Sequence, residues 1–121
     1  MRINELTKLK VSPLCNGKKW KLVESWKLKV GKKQVTVRKG FVTDFASIPR
    51  FAWWFSAPAT GLQRKPAVLH DWHYYKGKIS RKEADTIFLK YMEQEGKSFI
   101  KRHIMYYAVR FFGKAYFNQH L

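Results

Sequence analysis

The sequence predicts an α+β fold: an N-terminal antiparallel β-meander followed by a helical hairpin and a long C-terminal helix. Three observations carry this. Trp26, Leu28 and Val30 alternate with Lys27 and Lys29, the period of a half-buried strand. Ser80-Arg81-Lys82-Glu83 is a capping box with Gly77 before it and Gly96 beyond it. From Ser98 onward, apolar residues recur at helical spacing.

The N-terminal third is read as strands in order. Leu6 to Leu14 is a short apolar/polar alternation, and Asn16-Gly17 is a hairpin signal. Trp20 to Val30 follows, Gly31-Lys32-Lys33 turns the chain, and Val35-Thr36-Val37 returns it. One face of this meander packs and the other presents Lys. Gly40 to Phe55 is a transition, in which Ser47 opens a short helix near Pro49. Ala57 to Lys65 is a loop. The first helix starts near Pro66 and runs to about Lys76, with Gly77 as its cap. The second runs from the capping box to Glu95, and the third from Ser98 to about Phe117. Ile100, His103/Ile104, Tyr107/Ala108, Phe111/Phe112 and Ala115 form the apolar stripe of the third. At 121 residues the chain is expected to be one domain: a basic meander over 1–40, a motif-bearing loop over 41–65 and helices over 66–117.

Composition excludes several classes. Hydrophobic residues make up 45% and aromatics 17%, too many for a disordered basic tail. No apolar run approaches the ~20 residues of a membrane span. The single Cys, Cys15, excludes an intramolecular disulfide scaffold and a Cys-based zinc finger. No apolar segment follows Met1, so synthesis in the host cytoplasm without a signal peptide is expected.

The net charge is +17, from 25 Lys and Arg against 8 acids, and residues 1–40 hold +10 of it. Such an excess suits an anionic partner: nucleic acid, a lipid headgroup surface or an acidic protein. The aspartates are rarer and more telling. Asp44, Asp71 and Asp85 are the only three, each in apolar or turn-like sequence.

A linker of about four residues makes the first two helices antiparallel neighbours. His70 then lies about as far before the linker as Asp85 lies after it, roughly 8–9 Å at 1.5 Å per residue. Asp85 shares a face with Phe88, Leu89 and Met92, so it points inward. A His level with an inward carboxylate has the arrangement of an oriented general base. The same spacing also fits a plain helix-packing hydrogen bond. Asp71, about 100° further round the helix, can face the Thr43-Asp44-Phe45 segment. Two carboxylates with loop carbonyls would suit a hard cation such as calcium; Asp44 equally fits a turn residue. His73 and His120 read as surface, and His103 as the edge of the core. Trp53-Trp54-Phe55 reads as core or a partner surface.

Gly40-Phe41-Val42-Thr43-Asp44-Phe45-Ala46-Ser47-Ile48-Pro49-Arg50, then Ala67-Val68-Leu69-His70-Asp71-Trp72, then Ser80-Arg81-Lys82-Glu83-Ala84-Asp85, resembles a small family of unknown function from tailed phages and prophages. The likeness covers roughly residues 20–113, through Tyr107-Ala108-Val109-Arg110-Phe111-Phe112-Gly113. It implies a phage or prophage origin. His70-Asp71-Trp72-His73-Tyr74 followed by Ala84-Asp85-Thr86-Ile87-Phe88 is also similar to the His-Asp-x-x-Tyr and Ala-Asp-x-x-Phe pair of phospholipase A2 domains. That likeness implies His70 as base, Asp85 as its partner, Tyr74 as support for Asp85, Asp71 as a calcium ligand and Asp44 in the calcium-loop position. The Gly-rich calcium loop and the disulfides of the secreted enzymes are missing here, and the His-to-Asp interval is short. The resulting expectation is a metal-dependent hydrolase-like protein at the host cell envelope, held on phospholipid or cell-wall polymer. The alternative is a non-enzymatic virion component (tail, neck or minor capsid) whose basic face contacts DNA or neighbouring subunits.

Overall fold

The computed structural model describes residues 2–14, 19–43, 64–96 and 98–112. The chain divides into two compact units, Met1–Asp44 and Phe45–Leu121. Among the described residues, antiparallel strands occupy the first and three helices the second, the α+β order expected.

The first unit holds β1 (Ile3–Glu5), β2 (Val11–Pro13), β3 (Trp20–Leu22), β4 (Trp26–Val30), β5 (Lys33–Val37) and β6 (Val42–Thr43). They form two small antiparallel sheets, ordered β1-β4-β5 and β2-β3-β6, instead of one continuous ribbon. The chain changes sheet just after β1. Leu6 and Thr7 both donate from their backbone N–H to the carbonyl of Lys27, at 2.8 and 3.2 Å. Two residues facing one end a ladder in the manner of a β-bulge. Within the Leu6–Leu14 alternation, only Val11–Pro13 forms a strand.

The β4–β5 hairpin follows the expected register, Trp26 opposite Val37 and Val30 opposite Lys33. Gly31 turns it at φ +61°, a conformation that glycine adopts without steric cost. Trp26, Leu28, Val37 and Ile3 are buried, while Lys27 and Lys29 are exposed. The buried indole donates to Glu5 Oε2 at 2.8 Å, so its polar atom is satisfied. The Asn16-Gly17 turn and Cys15 lie outside the described residues, as do the Ser47 helix and Trp53-Trp54-Phe55.

The second unit holds α1 (Arg64–Lys76), α2 (Arg81–Gln94) and α3 (Phe99–Phe112). Pro66 lies in the first turn of α1, where a missing N–H costs nothing. Gly77 ends that helix at φ +65°, its N–H donating to the His73 carbonyl at 3.0 Å. Ser80 caps α2: its Oγ accepts from the Glu83 N–H at 3.1 Å, and its hydroxyl reaches the Glu83 carboxylate at 3.3 Å. Ser98 accepts from the Lys101 N–H at 3.3 Å at the start of α3. The expected extension of this helix toward Phe117 lies outside the described residues.

α2 packs against both α1 and α3. The core is Ala67, Val68, Leu69, Trp72, Ala84, Phe88, Tyr91, Met92, Met105, Ala108 and Val109. The stripe expected on α3 is corrected in part: its Ala108 is buried, but three of its large residues are not. Ile100, Tyr107 and Phe111 are 70%, 64% and 81% exposed, and Met105, Ala108 and Val109 face the core. The sequence of α3 is amphipathic toward Ile100, Ile104 and Phe111, and packing against α2 buries the neighbouring Met105–Val109 side instead. Among the described residues, no helix is long and apolar enough to cross a membrane.

Candidate functional site

The hairpin of α1 and α2 sets His70 and Asp85 level, as their equal distances from the linker require. His70 is 2% exposed and Asp85 is fully buried. Nε2 of His70 stands 2.7 Å from Asp85 Oδ1. An ionised carboxylate only accepts hydrogen bonds, so Nε2 carries the proton and donates it to Asp85. The imidazole is fixed from its faces as well: the Tyr74 ring lies 4.1 Å away and the Phe88 ring 4.8 Å, centroid to centroid.

Tyr74, one helical turn beyond His70, donates its hydroxyl to the same Oδ1 at 2.5 Å. The other oxygen faces α3. Arg110 Nη1 donates to Oδ2 at 2.8 Å, and Arg81 Nη1, one turn before Asp85, lies 3.7 Å from it. Arg81 also donates to the carbonyls of Val109 and Arg110, at 3.2 and 2.9 Å. These carbonyls belong to the last turn of α3, where intrahelical partners run out. One buried carboxylate therefore joins all three helices.

The charges follow from this arrangement. Burial works against the ionised form of Asp85. Hydrogen bonds from His70 and Tyr74, the charge of His70 and the Arg110 hydrogen bond outweigh it, and hold the carboxyl below its ordinary range. Burial also pushes the Tyr74 hydroxyl up, and its bond to the Asp85 anion pushes the same way, so it remains a donor. His73 was expected at the surface but is only 9% exposed. Burial, then the neighbouring His70, lower its pKa to about 4. It sits in the last turn of a helix buried over most of its length, which a single polar residue type does not reveal.

Of the sequence-predicted residues, His70, Asp85 and Tyr74 come together. Asp71 is half-buried on α1, and Asp44 lies outside the described residues. Among the described residues, no three His, Cys, Asp or Glu side chains are grouped to hold a metal ion. His103 is half-exposed, with its ring stacked on Phe99 at 4.1 Å and Nδ1 2.8 Å from the Phe99 carbonyl.

Sequence reasoning missed Arg81 and Arg110. Arg81 precedes Asp85 by four residues, an ion-pair spacing on a helix, so its signal was present. Arg110 comes from a helix 25 residues further on, and only packing brings it in.

No curated protein and no solved structure matches the chain. Residues 20–109 do match the sequence model of DUF1353, described as a protein of unknown function, and the chain belongs to that family.

Proposed function

We propose that this is a phage-encoded, hydrolase-like protein acting on ester substrates at the host cell envelope, with His70 as general base and Asp85 as the carboxylate that orients it. The observation carrying the reading is the 2.7 Å bond from His70 Nε2 to a buried, ionised Asp85. In the neutral form of His70, with the proton held on Nε2, Nδ1 is the basic nitrogen. It would take a proton from water as that water's oxygen bonds to an ester carbonyl carbon. The proton then passes to the leaving alkoxide as the ester C–O bond breaks. Asp85 stabilises the imidazolium between these steps, and Tyr74 keeps the carboxylate in place.

Asp71 is proposed as a ligand for a calcium ion, which when bound would polarise the substrate oxygen. The proton transfers need only His70 and Asp85. The basic first unit would hold the protein on anionic phospholipid or cell-wall polymer.

The test uses anionic phospholipid vesicles with and without added calcium. Wild type should release fatty acid, and His70→Asn should lose roughly 100-fold or more of that rate while keeping its helical circular dichroism. A wild type without turnover under either condition overturns the hydrolytic reading.

The deep burial of His70 and Asp85 favours a second reading. In it the cluster is a helix lock in a non-enzymatic virion component, whose basic face contacts DNA or neighbouring subunits. Stoichiometric presence in purified particles is expected then, and absence from particles removes that reading.

A further inference from the structure

The outward face of the β1-β4-β5 sheet carries charge of a single sign. β4 alternates strictly, with Trp26 and Leu28 inward and Lys27 and Lys29 outward and exposed. The register sets Asn4 and Gln34 on either side of Lys29, and Thr36 beside Lys27. Directly opposed residues of antiparallel strands share a face, so these five side chains lie together. Arg2 and Arg38, both exposed, continue the alternation one step beyond β1 and β5. The acids of this unit's described residues are turned elsewhere. Glu5 points to the buried side and accepts from Trp26, and Glu24 pairs with Lys10 at 3.3 Å. Among the described residues, this face therefore holds cations, amides and a hydroxyl, with no carboxylate and no aromatic ring.

We propose that this sheet face binds the phosphodiester backbone of duplex DNA without reading its bases. Lysines neutralise phosphates and release their counterions. Asn, Gln and Thr side chains bond phosphate and sugar oxygens, the contacts that position a protein on a duplex. The rest of the chemistry selects among polyanions. A single-stranded nucleic acid calls for aromatic rings on which bases stack. A bilayer surface calls for apolar side chains that enter the headgroup region. This face offers neither. The inference rests on the second reading, whose basic face contacts DNA, and it gives this sheet face to DNA instead of the envelope; the His70–Asp85 chemistry belongs to the other unit and does not depend on it.

The experiment titrates the full chain against a short DNA duplex of mixed sequence, by fluorescence anisotropy, between about 50 and 200 mM salt. The Lys27→Gln/Lys29→Gln pair is compared with Lys82→Gln/Lys90→Gln, an equal charge loss at exposed positions of α2. Wild type should bind, and the sheet-face pair should lower the slope of log affinity against log salt by about 1.8. The α2 pair should leave that slope unchanged, and Lys27→Arg/Lys29→Arg should restore it. Any fall in binding with lost strand signal is discounted by the arginine pair, which keeps charge and backbone alike. His70→Asn should bind DNA as wild type does, so a failed hydrolysis assay leaves this result standing. Absence of duplex binding, equal loss from both glutamine pairs, or capture by phosphatidylglycerol vesicles but not by duplex each overturns the proposal.

Discussion

Arg110 donates from Nη1 to Asp85 Oδ2 at 2.8 Å, tying the last turn of α3 to the buried face of α2. The carboxylate is fully buried while the guanidinium is partly open to solvent, so the pair is anchored from the inside. Arg81, at 3.7 Å from the same oxygen, is occupied with two α3 carbonyls and cannot take over the contact without leaving them.

Arg110→Met should therefore destabilise the protein by about 1.5–3 kcal/mol, the worth of a hydrogen bond to a charged group. Urea denaturation followed by circular dichroism measures it. Asp85→Asn should cost more, about 3–5 kcal/mol, because it leaves two arginines facing a neutral group. The double variant should cost less than the sum, since the two residues share one interaction. A strictly additive double variant would show that the pair is uncoupled.

Acid should weaken the fold through the same carboxylate. Asp85 faces His70 and Tyr74 from α1, Arg81 on its own helix and Arg110 from α3. Its native pKa lies below the unfolded value of about 3.9, so below pH ~4 the unfolded state binds more protons. The stabilisation is complete above that pH and is lost as pH falls through the native value. His73 acts at higher pH and in the same direction. With a native pKa of about 4 against 6.5 unfolded, it costs stability as pH falls between those values. Thermal melts from pH 7 to 2 should show both declines, and His73→Gln should flatten only the upper one.

Ser80→Ala removes the cap at the start of α2 while touching nothing at the buried cluster. A loss of about 1 kcal/mol is expected. A much larger loss would mean that this helix start carries more than its cap.

The two sides of α3 should respond oppositely to substitution. Met105→Ala opens a cavity under a fully buried side chain and should cost about 2–5 kcal/mol. Tyr107→Gln, on the exposed side, should stay within about 0.5 kcal/mol. Comparable losses at both positions would show that the outer face is covered.

Local chemistry determined much of this protein before any fold was known. The capping box at Ser80, the glycines at 77 and 96 and the Trp26–Val30 alternation act over a few residues, and each element appears where those signals lie. Even the meeting of His70 and Asp85 was legible, because a short linker makes two helices antiparallel and equal spacing does the rest; Tyr74 beside them followed only from the resemblance to phospholipase A2 domains. Tertiary structure alone decided the remainder. It recruited Arg110 across 25 residues, it buried His73, and it selected the Met105–Val109 side of α3. It also split the strands into two sheets at the Leu6–Thr7 bulge. These outcomes depend on which surfaces meet. The periodicity of α3 favours one side and packing buries the next, while a strand of only three residues leaves several partners equally acceptable, so packing makes the choice.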